Sequence, residues 1–397
     1  MRADPQRLRV LYSGILGLLL FLGVARFSYT PLLPLMREQA GLGVAAGGWL
    51  AAANYAGYLS GALLAANIND LLLKDRLYRI GMLLAVATTI LMGLSDNVWV
   101  WAVSRFLAGL STAAGMLLGS GLIMNWLMRH QHRPELGIHF SGIGLSIAGC
   151  SLAVAGMSEW FDWQMQWFVL SAIGALLVIP AWRWLPRPPP TATGAPAQHM
   201  ADNPPSPAVF RLLMAAYFCA GVGYVVSATF MVAIVNALPN MAGKGNWVYL
   251  VAGLAAAPAC IAWDLIARRT GQVTALILAG LLQAVGILLP VLGGTLLAAL
   301  AGAVLFGGTF AGMVSLVLTM AGRYYPSKPA KMMGKMTISY GVAQIMAPAV
   351  TGWLATHNGG SYAQGLYLAS GVMVLGALLL GALKIQARRE LVPVSVN

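Results

Sequence analysis

The stretch ILGLLLFLGVARFSYTPLLPLM, residues 15–36, decides the fold. From Ile15 to Ala25 it is unbroken apolar sequence; Arg26 follows, and the apolar run then resumes as far as Arg37. Such a run is long enough to cross a hydrocarbon core of roughly 30 Å at about 1.5 Å per residue. Counted from Arg9, Arg26 stands about 25 Å along a straight helix, and Arg37 marks the far surface roughly 16 Å further on. A guanidinium at that depth costs at least ~2.5–3.5 kcal/mol unless it meets water or a partner. The stretch therefore predicts a membrane helix that turns a cation into a cavity. It runs on into PLLPLMRE, not into a small-residue cleavage site, so it is expected to stay in the protein as the first helix.

The rest of the chain has the same character. Of 397 residues 59% are apolar and 9% charged, and the mean hydropathy is +0.76. Soluble domains carry about 25% charged residues, so this chain has too few charges to make an aqueous surface, and its solvent is expected to be lipid. The net charge of +13 does not indicate nucleic-acid binding, because Lys and Arg fall in short clusters between apolar runs instead of forming a basic stripe. Cys150, Cys219 and Cys260 lie in apolar runs with no ligand spacing, which predicts packing roles. No metal and no cofactor are expected.

Helices are predicted over 10–35, 46–68, 78–95, 98–126, 137–157 and 164–184, and again over 209–237, 246–266, 271–291, 295–320, 331–355 and 362–384. Between the two sets lies LPRPPPTATGAPAQHMADNPPSP (185–207), too proline-rich for a helix and read as a solvated linker. The expected architecture is an all-α membrane protein of twelve transmembrane helices: a bundle over 1–184, the linker, and a second six-helix bundle over 208–397. With both termini and the linker in the cytoplasm, twenty of the 24 Lys and Arg fall on that side, Arg37 and Lys244 face outward, and Arg26 and Arg105 lie within the membrane.

The halves also resemble each other. A shift of 197 positions pairs Thr112, Ala114, Gly115 and Met116 with Thr309, Ala311, Gly312 and Met313, and pairs Gly137 with Gly334 and Gly144 with Gly341. A parallel repeat of this kind is the arrangement of rocker-type transporters.

GVARFSYTPLLPLM in the first helix, GWLAAANYAGYLSGALLA in the second and YGVAQIMAP in the eleventh resemble the major facilitator superfamily, in particular its bacterial YbfB/YjiJ-type branch. The resemblance extends over essentially the whole chain. RFLAG in the fourth helix is similar to the superfamily's Arg-x-x-x-Gly pattern. DRLYR (Asp75, Arg76, Arg79) and DLIAR (Asp264, Arg268) look like worn copies of its Asp-Arg-x-Gly-Arg gating loop, with Tyr78 and Ala267 in place of the glycine and Leu265 in place of the first arginine. The resemblance implies a monomeric transporter of the bacterial inner membrane. SGIGLSIAGC in the fifth helix lacks the Gly-Pro pair typical of drug/proton antiporters.

The residues nominated for a site share a depth. Tyr29 follows Arg26 by three residues; Asn54 and Tyr58 share a face of the second helix; Arg105 lies in the fourth. Setting Gly221 against Gly23 places Tyr224 where the first half has Arg26, and Tyr340 and Gln344 form an i, i+4 pair in the eleventh helix. Gly57, Gly61 and Ala65 read as a packing stripe. His139 is the one histidine expected just inside a helix, where it could titrate near neutral pH. All eleven Asp and Glu (Asp4, Glu38, Asp70, Asp75, Asp96, Glu135, Glu159, Asp162, Asp202, Asp264 and Glu390) are expected in loops or at helix ends. Two membrane cations without a membrane acid suit an anionic small-molecule substrate, a monocarboxylate or amino-acid-like metabolite, with proton coupling as a companion expectation. The rival reading is an efflux pump for amphipathic compounds, whose cavity the twelve tryptophans and twenty methionines could line. An enzyme is not expected, since paired carboxylates, HExxH and Ser–His constellations are missing at membrane depth.

Overall fold

The computed structural model describes residues 5–68, 70–132, 136–189, 204–324 and 329–391. Most of the predicted linker, together with Asp4, Glu135 and Asp202 and the side chain of Glu390, lies outside the described residues. Among the described residues every regular element is helical. Helix α1 (Pro5–Leu18) runs through a π-helical stretch, Leu19–Phe27, into α2 (Tyr29–Gln39). Then come α3 (Val44–Ala66), α4 (Leu71–Leu94) and α5 (Val98–Ala113); α5 continues through a second π-helical stretch, Ala114–Gly119, into α6 (Ser120–Arg129). Helices α7 (Leu136–Met157) and α8 (Trp163–Trp184) precede the linker. After it follow α9 (Pro207–Asn236), α10 (Gly245–Ala256), α11 (Ala259–Thr270), α12 (Gln272–Gly293), α13 (Leu296–Tyr324), α14 (Pro329–His357) and α15 (Ala363–Leu391).

Four of the helices start where a side chain satisfies a free N–H group of the first turn. Asp70 accepts from Leu72 N, Asn97 from Trp99 N, Asp162 from Met165 N and Ser206 from Val209 N. Two of the chain's few carboxylates are thus caps. Two others depart from expectation: Asp75 lies within α4 and Asp264 within α11, so DRLYR and DLIAR are helical turns and not loops. The connections are shorter than sequence patterning predicts, because an amphipathic helix end continues into water without changing its backbone.

Nine helical stretches among the described residues are long and apolar enough to cross a membrane; the pair α10–α11, bent by 47° at Pro258, makes ten if counted as one span. Helices α3 and α14 are absent from that set, and they pack on each other more extensively than any other pair. There is no space for a Cβ at Gly48, which lies against the Pro348 carbonyl, so the two backbones touch. On its other side α3 presents Gly57 and Gly61 to α5. A helix covered this way can dispense with lipid-facing hydrophobicity. Helix α7 meets α10, and α2 packs along α9, where Thr30 Oγ1 donates to Ala228 O at 2.7 Å. Arg37 Nη1 donates to Tyr362 Oη at 3.2 Å near the same end. Helix α1, by contrast, packs mainly on α7 and α8.

Candidate functional site

The site begins with a backbone irregularity that residue spacing does not reveal. In the π-helical stretch Leu19–Phe27 the pattern of hydrogen bonds lengthens, as in Ser28 N to Gly23 O at 3.0 Å, and carbonyls lose their ordinary donors. Side chains from two other helices, α5 and α7, take over together with Ser28. Thr112 Oγ1 donates to Phe21 O at 3.1 Å, and Ser146 Oγ to Leu18 O at 2.9 Å, just ahead of the stretch. Ser28 Oγ donates to both Gly23 O and Val24 O at 2.7 Å. Arg105 donates from Nη1 to Ala25 O at 2.9 Å and from Nη2 to Arg26 O at 3.3 Å.

That arrangement separates the two membrane arginines by job. Arg105, 3% exposed, spends its fork on backbone and stacks over Tyr29 with its guanidinium carbon 4.6 Å from the ring centroid. Its charge is balanced by carbonyl dipoles, the way a cation serves a helix C-terminus. Arg26 is equally withdrawn from solvent, 6% exposed, but its contacts are aromatic: 4.5 Å to Tyr55, 5.0 Å to Tyr58 and 5.7 Å to Phe27. Its Nε, like that of Arg105, is buried without a hydrogen-bond partner, and no ion pair reaches either arginine among the described residues; what sets Arg26 apart is that no backbone carbonyl takes up its fork. A desolvated guanidinium without a counter-charge is costly unless something completes it.

The other nominated residues divide in the same way. Tyr29 does not accompany Arg26; the wider π turn carries it to Arg105, and its hydroxyl donates to Gly47 O at 2.9 Å. Asn54 Nδ2 donates to Arg105 O at 2.8 Å, which leaves its buried Oδ1 without a partner. Tyr58 stays with Arg26. From the second half, Tyr224 interacts electrostatically with Arg26 together with Tyr55 and Tyr58. Behind it lies a stack of rings: Tyr224 is 5.0 Å from Phe310, 5.9 Å from Tyr340 and 6.3 Å from Phe306, and Tyr340 is 4.6 Å from Tyr217. Gln344 is buried beyond this stack on α14, its Oε1 unpartnered. Among the described residues no group of His, Cys, Asp and Glu could hold a metal ion.

Tyr55 is the residue that sequence reading overlooked, although it makes the shortest cation–π contact to Arg26. NYAGY offers Asn54, Tyr55 and Tyr58 to two adjoining faces of one helix, and only the position of the first helix shows which face the cation uses.

The residues nominated for gating make local contacts in this conformation. Arg79 pairs with Asp75 at 3.0 Å and caps α8, donating to Trp182 O at 2.9 Å and Leu185 O at 3.1 Å. Arg268 and Asp264 form an exposed pair at 2.7 Å within α11, and Arg76 is exposed on α4.

The arrangement has relatives. Residues 18–381 match the family described as the uncharacterised MFS-type transporter YbfB. No curated protein matches the chain in sequence. Among solved structures, a mutant of the nucleoside transporter NupG superposes with a TM-score of 0.75 at 15% identity, over 95% of this chain and 99% of that one. The human organic anion transporter MFSD10 gives 0.65 at 18% identity, over 95% and 100%. A D-xylose-proton symporter gives 0.70 at 12% identity, over 94% and 97%. At these identities the likeness is one of fold. With its apolar helices and a family match over most of its length, this chain belongs to the YbfB-type family of the major facilitator superfamily, multi-pass transporters of small molecules across membranes.

Proposed function

We propose that the protein is a secondary active transporter for a small organic anion, a monocarboxylate or amino-acid-like metabolite, working by alternating access. In this reading α3, α14 and the α10–α11 pair also span the bilayer. That makes twelve spans in two six-helix halves, 1–184 and 208–397, with cytoplasmic termini in a bacterial inner membrane. The observation that carries the substrate class is Arg26, a buried guanidinium held among phenols of both halves, its Nε unpartnered and no acid paired with it. The three structural neighbours are named for a nucleoside, an organic anion and a sugar, so fold does not choose among substrates, and the charge of the site supports an anion. Contacts of α2 with α9, and of Arg37 with Tyr362, support a conformation shut on the outer side. Coupling to protons is the companion proposal, with His139 as its candidate. His139 is buried, its Nε2 lies 2.9 Å from Ser120 Oγ, and its Nδ1 has no partner.

Thermal-shift screening of the purified protein against organic anions, sugars, nucleosides and amphipathic cations tests the reading. Stabilisation by an anion that disappears in Arg26→Ala is the expected result. Arg26→Ala is further expected to fold, reach the membrane and fail to transport that anion. Normal uptake kinetics in the variant, or stabilisation by cations alone, would refute the anion assignment.

A further inference from the structure

A cation–π contact engages the charge of a guanidinium but none of its N–H bonds. Arg26 lies over two tyrosine rings of α3 and is within hydrogen-bond reach of the Tyr55 hydroxyl, yet its Nε–H is buried with no acceptor. All five guanidinium N–H bonds lie in one plane. An anion that completes Arg26 therefore enters edge-on, in that plane. A carboxylate does so through two parallel hydrogen bonds.

The surroundings then constrain what the carboxylate is attached to. Across from α3, the rings of α9, α13 and α14 form a cluster that is stacked in part and tilted in part. Tyr224 makes interplanar angles of 12° with Phe306, 35° with Phe310 and 29° with Tyr340, and Phe306 and Phe310 lie at 24°. Their centroid separations of 5.0 to 6.3 Å are those of offset stacking. A further flat ring extends such a stack, whereas a puckered ring is thicker and touches it through axial hydrogens with less contact.

We propose that the substrate is a planar, conjugated carboxylate, an aryl or α,β-unsaturated acid. Its carboxylate is gripped in plane by the Nε side of Arg26, and its flat body lies along the Tyr224 face of the aromatic stack. This inference rests on the anion reading and sharpens it. Specificity comes from both halves, charge from the first and flatness from the second, so the complete site exists only while the halves are together.

The test uses the unmodified protein, purified in detergent, and three probes at neutral pH: benzoate, cyclohexanecarboxylate and benzyl alcohol. Benzoate and cyclohexanecarboxylate share charge and approximate size and differ in flatness; benzyl alcohol keeps the ring and removes the charge. Affinity measured by calorimetry should favour benzoate at least tenfold over cyclohexanecarboxylate, with benzyl alcohol weaker still. In Arg26→Lys, which keeps the charge and loses the planar fork, both carboxylates should weaken by a similar factor while benzyl alcohol is unchanged. Equal or tighter binding of cyclohexanecarboxylate to the unmodified protein overturns the planar inference and leaves the anion reading standing. Benzyl alcohol binding as tightly as benzoate, or no binding by either carboxylate, overturns both.

Discussion

Replacing Arg105 with Met should release the backbone that carries Arg26 while leaving most of the bundle in place. Met matches the aliphatic stem of arginine in length and removes both hydrogen bonds to the π-helical stretch, at 2.9 Å to Ala25 O and 3.3 Å to Arg26 O. Hydrogen bonds to a charged group contribute about 1.5–3 kcal/mol each, and the longer of these two belongs at the low end. Removing a buried charge returns part of that sum, because its desolvation is no longer required. A net local loss of about 3 kcal/mol corresponds to roughly a hundredfold change in an opening equilibrium. Amide hydrogen exchange reads it directly: peptides covering residues 19–28 should exchange about a hundredfold faster, while α12 and α15, which share no contact with Arg105, keep their protection. Arg105→Lys should be intermediate, since an ammonium serves as a point donor where the guanidinium is a fork. Unchanged exchange over 19–28 in a folded Arg105→Met protein would refute the claim that this residue holds the π-helical stretch. Uniformly faster exchange throughout would reduce it to a general stabiliser.

The two acidic-basic pairs of DRLYR and DLIAR should behave very differently. Arg79→Ala leaves Asp75 buried without its partner and uncaps α8, a loss of about 3–5 kcal/mol visible as a lower melting temperature, whereas Arg268→Ala breaks an exposed pair worth about 0–1 kcal/mol. Equal effects of the two substitutions would contradict the burial difference on which this rests. Gly48→Leu drives a side chain into the Pro348 carbonyl of the facing helix, and overpacking of this kind costs about 1–3 kcal/mol or more. A melting temperature equal to that of the unmodified protein would show that α3 and α14 do not need their close approach.

Much of this molecule could be read from residue types alone. Scarcity of charge excluded an aqueous surface, apolar runs located the helices, and Arg26 stood out because a guanidinium in the middle of an apolar run has to be explained. Those inferences work because the price of exposing a charge or a peptide group to lipid is large and local, so it leaves its mark position by position. Which charge is bound by what is a different matter. Arg26 and Arg105 look alike in the sequence, yet Arg105 donates to backbone carbonyls of the helix that carries Arg26, and Arg26 lies over the rings of Tyr55 and Tyr58. That distinction comes from one extra residue per turn over Leu19–Phe27, which swings Tyr29 to Arg105 and leaves Arg26 facing Tyr55 and Tyr58. A π-helical turn has no composition of its own. It survives where side chains distant in the sequence, here Thr112 and Arg105 on α5 and Ser146 on α7, supply the hydrogen bonds it gives up. Residue spacing therefore determined that a buried cation exists, and tertiary structure alone decided which of the two arginines is committed to backbone carbonyls and which lies among aromatic rings.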